Sequence, residues 1–149
     1  MTKILILNGP NLNLLGRREP EIYGSQSLKD IEADLKHWAE GAGATVEMRQ
    51  TNHEGTMLDW LHEAAGDVDG IVLNPGAWAH TSIALADAVA GIGTPVIEVH
   101  LSNVFARERF RHHSYLSANA AGIVSGVGAL GYRLAAEALL AHHSKTITG

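Results

Sequence analysis

Short apolar runs that end in turn residues alternate along this chain with stretches of helical spacing, and that alternation restricts its fold more than any other feature. Lys3-Ile-Leu-Ile-Leu-Asn8 is such a run, as a buried parallel strand should be. A loop rich in Asn, Gly and Pro follows from Gly9 to about Gln26. Ser27, with Asp30 three residues on, signals a helix start, and Leu28, Ile31, Leu35 and Trp38 recur at helical spacing until Gly41-Ala-Gly43. Thr45–Gln50 alternates like a strand, and a helix is expected from about Gly55 to Ala65 with Leu58, Leu61 and Ala65 inward. Gly70–Asn74, Pro95–His100 and Ala120–Ser125 read as further strands. A helix is expected from about Thr81 to Gly91, an arginine-rich segment from Val104 to His113, and a last helix carried by Leu134, Ala138 and Leu139 that ends near His143, with a frayed tail after Ser144.

Strands that alternate with helices imply a parallel sheet covered on both faces. The expected fold is α/β, a flavodoxin-like three-layer sandwich with a five-stranded parallel sheet in the order 2-1-3-4-5 and right-handed crossovers. A length of 149 residues fits one domain, 1–149, with one sizeable core. No repeat, linker or low-complexity segment divides it.

Composition narrows the function classes. No stretch approaches the roughly 20 apolar residues of a membrane span, and the start runs straight into a strand without a basic leader, so a cytoplasmic protein is expected. The absence of cysteine excludes disulfides and thiol chemistry. A net charge of −5 disfavours generic nucleic-acid binding. Yet five of the seven arginines (Arg17, Arg18, Arg107, Arg109 and Arg111) fall in two short stretches, where they are either a solvated face or a convergent anion site.

In open α/β sheets, ligands bind beyond the carboxyl ends of the strands, where the strand order reverses. Strand 1 ends Asn8-Gly9-Pro10-Asn11-Leu12-Asn13, strand 3 ends Asn74-Pro75-Gly76 with His80-Thr81-Ser82 following, and strand 4 ends Glu98-Val99-His100-Leu101-Ser102-Asn103. Each Asn alone reads as a turn former and each His as structural. The convergence is the signal, because the fold locates the site before the residues are considered. Glu98 and His100, two apart on a strand, share a face; the carboxylate can fix the imidazole's tautomer and suit it to donate a proton.

The first loop, of about 18 residues, is far longer than an ordinary βα loop and reads as a lid over about 16–26. It carries Arg17, Arg18 and Tyr23, and adjacent guanidinium groups favour a phenolate, which could act as a base. The bland alternative is a surface loop whose Tyr packs on the body. Dinucleotide and Walker A glycine patterns are absent. The four lysines, Lys3, Lys29, Lys36 and Lys145, lie at the chain ends or on the first helix, away from the expected site, which argues against imine chemistry. The pairs His112-His113 and His142-His143 lack the i, i+4 spacing of helical metal ligands, so no metal is expected.

The stretches Ile6–Pro20 (ILNGPNLNLLGRREP), Glu21-Ile-Tyr-Gly24, Gln50-Thr-Asn-His-Glu-Gly55, Asn74-Pro-Gly-Ala-Trp-Ala-His-Thr-Ser82, Glu98-Val-His-Leu-Ser-Asn103 and Phe110-Arg-His-His-Ser-Tyr115 resemble, in that order, the type II dehydroquinases. The resemblance covers about Ile4 to His142 and implies a cofactor-free dehydration of 3-dehydroquinate through an enolate. In it, Tyr23 matches the base, Arg18 the assisting lid arginine with Arg17 beside it, Asn11 the holder of a water at the enolate, and His100 the acid supported by Glu98. Asn74, His80, Leu101, Ser102 and Arg111 match substrate contacts. Asp87, about 10 Å along its helix from His80, matches an acid that reaches a neighbouring subunit's site, in an assembly of trimers that usually forms a dodecamer. Trp78 stands where tyrosine or leucine is common and Ala79 where threonine is expected. The resemblance places the reaction in the shikimate pathway, which leads to chorismate and aromatic amino acids; quinate breakdown uses the same step. A flavodoxin-like module that binds an anion without chemistry is the competing reading, and it would not need Tyr23 beside two arginines.

Overall fold

A computed structural model describes residues 1–17, 19–23 and 25–148, without the side chains of Pro20, Tyr23 and residues 144–148. In chain order the elements are β1 (Thr2–Asn8), α1 (Pro20–Tyr23), α2 (Leu28–Ala42), β2 (Ala44–Gln50), α3 (Glu54–Ala64), β3 (Gly70–Asn74), α4 (Ile83–Gly91), β4 (Val96–His100), β5 (Gly122–Ser125) and α5 (Leu130–Thr148). The strands form one parallel sheet in the order β2-β1-β3-β4-β5, as expected from the alternation.

Because side chains alternate along a strand, the three central strands β1, β3 and β4 feed two cores. Ile4, Ile6, Val72, Ile97 and Val99 pack against Ile31, Leu35 and Ala39 of α2 and Tyr132, Ala135, Ala136 and Leu139 of α5. Leu5, Leu7, Ile71, Leu73 and Val96 pack against Met57, Leu61 and Ala64 of α3 and Leu85, Ala88 and Val89 of α4. These are the three layers. The capping box of α2 is complete: Ser27 Oγ accepts from Asp30 N at 3.1 Å, and the Asp30 carboxylate accepts from Ser27 N at 3.2 Å.

The inward faces of two helices differ from those expected. On α3 the buried face is Met57–Leu61–Ala64, with Leu58 packed at the core's edge. On α5 the buried residues are Tyr132, Ala135, Ala136 and Leu139, whereas Leu134 is 38% exposed. Small alanines let this helix lie close on the sheet, and its larger leucine turns outward. The helix also continues beyond His143, to Thr148. The frayed tail expected there falls on residues whose side chains lie outside those described.

The long loop after β1 contains a 3-10 turn at Leu12–Leu14 and the single turn of α1. Its middle approaches its end, so that a Cβ on Gly16 (φ +90°) would lie 3.0 Å from Ser25 O. The arginine-rich segment folds as two further 3-10 turns, Val104–Ala106 and Arg109–Arg111. Among the described residues, no helix is long and apolar enough to cross a membrane.

Candidate active site

Sheet register brings the polar strand ends together. Asn8 and Asn74 are paired partners at the ends of β1 and β3, and His100 ends β4 one strand away. A cavity of about 200 Å³ opens above them, lined by Asn11, Asn74, His80, His100, Leu101, Ser102, Arg107 and Arg111, among others. Asn74 enters from the α2/α5 face of the sheet. Glu98 and His100 have the parity of Val96 and belong to the opposite face, so the cavity straddles the sheet's carboxyl edge.

The loops beneath the cavity are pressed together. A Cβ on Gly9 would lie 2.5 Å from Pro75 O, so only glycine lets the turn after β1 sit against the turn after β3. Gly9 N also donates to Asn74 O at 2.8 Å. Trp78 closes over this contact from the side, and Ala79 is fully buried. Asn11 adopts a left-handed conformation, φ +68°, which Asn tolerates better than most residues. Its N–H donates to Asn52 Oδ1 at 2.9 Å, and Gln50 Nε2 donates to Asn52 Oδ1, Asn13 Oδ1 and Gly9 O. These side chains from the end of β2 fix the turn that presents Asn11.

At the end of β4, the Glu98 carboxylate is 1% exposed and accepts three hydrogen bonds. His100 Nε2 donates to Oε2 at 2.5 Å, while Ser114 and Ser117 hydroxyls donate to Oε1 at 3.1 and 2.8 Å. Burial pushes this carboxyl's pKa up, but the bonds and charge from His100 with those from the two serines outweigh it and hold the group below its ordinary value. Glu98 is therefore an anion, and it fixes Nε2 as the protonated ring nitrogen. Nδ1 of His100 is the nitrogen left for the cavity.

His80 lies beside this pair, its ring stacked on His100 at 6.2 Å between centroids. Its Nδ1 is 2.8 Å from His113 O, and since a carbonyl only accepts, the proton sits on Nδ1. Burial lowers the His80 pKa, and His100 and Arg111 lower it further against the raising effect of that carbonyl. The ring is thus neutral near pH 7, with Nε2 as an acceptor. Arg111 is held by Glu108 at 3.2 Å and lies over the Phe110 ring. Backbone at Leu101 and Ser102 is braced from β5 and the turn after it, where Gly128 N donates to Leu101 O at 3.0 Å and Ser125 Oγ to Ser102 O at 3.1 Å.

Of the residues singled out in the sequence, Asn11, Asn74, His80, His100, Leu101, Ser102 and Arg111 line one cavity, with Glu98 directly behind. Asp87 does not line it; it is exposed on α4, in a shallow groove with Leu58 and His62. Arg17 is exposed on the loop and does not line the cavity either. Arg18 and the Tyr23 side chain lie outside the described residues. Their neighbours Ile22, Ser25 and Gln26 line a second cleft with Leu101, Ser102 and Arg107, so the loop borders the cavity's β4 side. Sequence reasoning named Arg107, a lining residue, only among the clustered arginines, and it missed Gln50, Asn52, Ser114, Ser117 and Tyr132 as supports. Gln50 could have been found, since it ends a strand beside Asn8.

The sheet order and the strand-end cavity define a flavodoxin-like α/β protein. Residues 2–140 match the family model described as Dehydroquinase class II. The chain is 59% identical to 3-dehydroquinate dehydratase 2 of Pseudomonas aeruginosa over 90% of each chain. It is 60% identical to catabolic 3-dehydroquinase 1 of Aspergillus terreus, over 90% of this chain and 88% of that one. The crystal structure of type II dehydroquinase from Butyrivibrio crossotus superposes with a TM-score of 0.90 at 43% identity, covering 93% of this chain and 97% of that one. The chain belongs to the class II dehydroquinase family, the type II 3-dehydroquinate dehydratases.

Proposed function

We propose that this cavity converts 3-dehydroquinate to 3-dehydroshikimate by an enolate route. The observation that carries the reading is the buried Glu98–His100 pair opening into the same cavity as Asn74, His80 and Arg111. Tyr23, as phenolate, removes a proton from C2 beside the ketone, with Arg18 and Arg17 favouring the charged form. The electron pair moves onto the carbonyl oxygen, and Asn11 holds a water that donates to this enolate. The enolate then expels the C1 hydroxyl, which takes a proton from His100 and leaves as water. Glu98 fixes the orientation of His100 through Nε2–H, so the proton given to the hydroxyl comes from Nδ1. His80 Nε2 accepts from a ring hydroxyl, Asn74 and Ser102 bind others, and Arg111 and backbone at Leu101–Ser102 face the carboxylate. Solvent returns the protons between turnovers, and no cofactor takes part in these steps.

The proposed setting is the cytoplasm and the shikimate route to chorismate and aromatic amino acids. Quinate breakdown is the second reading, favoured by the catabolic enzymes among the relatives. We also infer a trimer-based assembly, in full a dodecamer, in which Asp87 serves the neighbouring subunit's site. Asp87 and the half-exposed Ile83 lie one turn apart on α4, away from their own cavity. A fully active monomer in sedimentation would contradict that assembly. The function itself is tested by incubating the purified protein with 3-dehydroquinate and following the conjugated enone by ultraviolet absorbance. The reading expects growth of that absorbance, and an inert, folded sample would overturn it.

A further inference from the structure

We propose that Tyr132, on the buried face of α5, is a positioning residue for the substrate cavity: its hydroxyl sets which way the Asn74 carboxamide faces. Tyr132 and Asn8 are fully buried and Asn74 is 3% exposed. The Tyr132 hydroxyl donates to Asn8 Oδ1 at 2.6 Å and accepts from Asn74 Nδ2 at 2.9 Å. Two backbone groups pin the ends of this chain. Asn8 Nδ2 donates to Arg49 O at 3.2 Å, and Asn74 Oδ1 accepts from Gly76 N at 3.2 Å.

A carboxamide turned by 180° fills the same space with its donor and acceptor exchanged, so shape alone does not orient Asn74. The hydrogen bonds do. The carbonyl of Arg49 only accepts, so Asn8 must present Nδ2 to it and Oδ1 to Tyr132. The phenol then has to give its proton to Asn8, which leaves its lone pair for Asn74 Nδ2. The Gly76 N–H only donates, and it selects the same orientation from the other side. Asn74 and Gly76 both line the cavity. What remains for a ligand is the second Nδ2 hydrogen and the second Oδ1 lone pair of Asn74, each in a fixed place. Burial pushes the Tyr132 phenol's pKa well above its ordinary value, so the group stays protonated at working pH and the polarity of the chain does not change. A phenylalanine would fill the same core between α5 and the sheet. The hydroxyl's hydrogen bonds among the described residues go to the two strand-end amides.

This inference rests on the reading of Asn74 as a substrate contact. It is tested with Tyr132→Phe, Asn74→Ala and the double variant of the full chain, measuring kcat, KM and thermal midpoint with 3-dehydroquinate. Coupled neighbours show interaction energies that translate into factors of several to a hundred. The expectation is a loss of about tenfold in kcat/KM for Tyr132→Phe, mainly through KM, shrinking to less than about twofold in the Asn74→Ala background. An equal loss in both backgrounds, or a lowered thermal midpoint with unchanged kcat/KM, would show that Tyr132 only packs and would overturn the proposal. Wild-type kcat/KM in Asn74→Ala would instead remove Asn74 from the substrate contacts, and the inference with it. Should Tyr132→Phe not fold, Asn8→Ala in the same cycle decides. It frees the hydroxyl to turn toward Asn74, and the same loss and the same disappearance are expected; an additive loss overturns the proposal.

Discussion

At the floor of the cavity, Asn74, Glu98 and His100 are buried side chains: Asn74 is tied to Tyr132 and Glu98 to Ser114 and Ser117, all from later stretches of chain, and the anchored Glu98 holds His100, two positions on. In the loop over residues 16–26, the described side chains of Arg17, Glu19, Glu21, Ile22, Ser25 and Gln26 are exposed. Backbone bonds described within it are short in range, as in Arg17 N to Leu14 O at 3.0 Å and Ile22 N to Glu19 O at 2.9 Å. Gln26, at its end, reaches α2 through Asp34 at 3.1 Å. Buried, cross-braced groups open only with large parts of the core, whereas exposed segments with local bonds open at little cost. The proposed acid therefore sits on the cross-braced floor and the proposed base on the loop.

The largest effect expected from breaking this division lies in the loop. Tyr23→Phe should lose on the order of a hundredfold or more in turnover, the usual range for a positioned acid or base, while its thermal midpoint stays close to wild type. More than a tenth of wild-type turnover would remove Tyr23 from the base role. On the floor, His100→Ala should also lose about a hundredfold, yet still bind a planar enolate mimic in calorimetry. Near-normal turnover would remove His100 from the acid role.

Glu98→Gln should show a smaller activity loss, about tenfold, together with a stability loss of about 1–3 kcal/mol from the missing charged acceptor. The pH dependence has a definite sign. The folded carboxyl's pKa lies below the ordinary 4.5, so its stabilisation is present above that value and is lost as pH falls through the folded pKa. The stability gap between wild type and Glu98→Gln, read by denaturant melts, should therefore be full near pH 7 and close below pH 4.5. A pH-independent gap would contradict the anionic assignment. Gly9→Ala should cost about 1–3 kcal/mol through overpacking against Pro75, with activity falling only as far as the floor shifts. A wild-type melting curve would show that the two turns are not pressed together.

Much of the floor was legible in the sequence because it follows from two rules. Short apolar runs with intervening helices gave the strand order, and the strand-end rule located Asn11, Asn74, His80 and His100 before their contacts were known. Strand alternation put Glu98 beside His100. The supports were harder to see. Ser114 and Ser117 reach Glu98 from an irregular segment with no periodicity, and Tyr132 meets Asn8 across 124 positions. Its partners depend on how α5 packs, and that face was misread because Leu134 looked like a better core residue than the alanines beside it. A buried tyrosine needs a partner for its hydroxyl, but sequence does not say which. For the loop, length and charge pointed to a lid and to a phenolate beside two arginines, while the specific roles of Arg18 and Tyr23 in the reaction came from resemblance.

The division of labour is tested most directly by following exchange of the C2 hydrogen of 3-dehydroquinate with solvent, by NMR in deuterated water, in the two single variants. With the acid removed and the base intact, His100→Ala should form the enolate and return it, so C2 hydrogen should be replaced by deuterium while little product appears. Tyr23→Phe should show neither exchange nor product beyond the enzyme-free rate. Exchange in Tyr23→Phe that matches wild type, or no exchange in a folded His100→Ala that still binds substrate, would contradict a base on the loop and an acid on the floor.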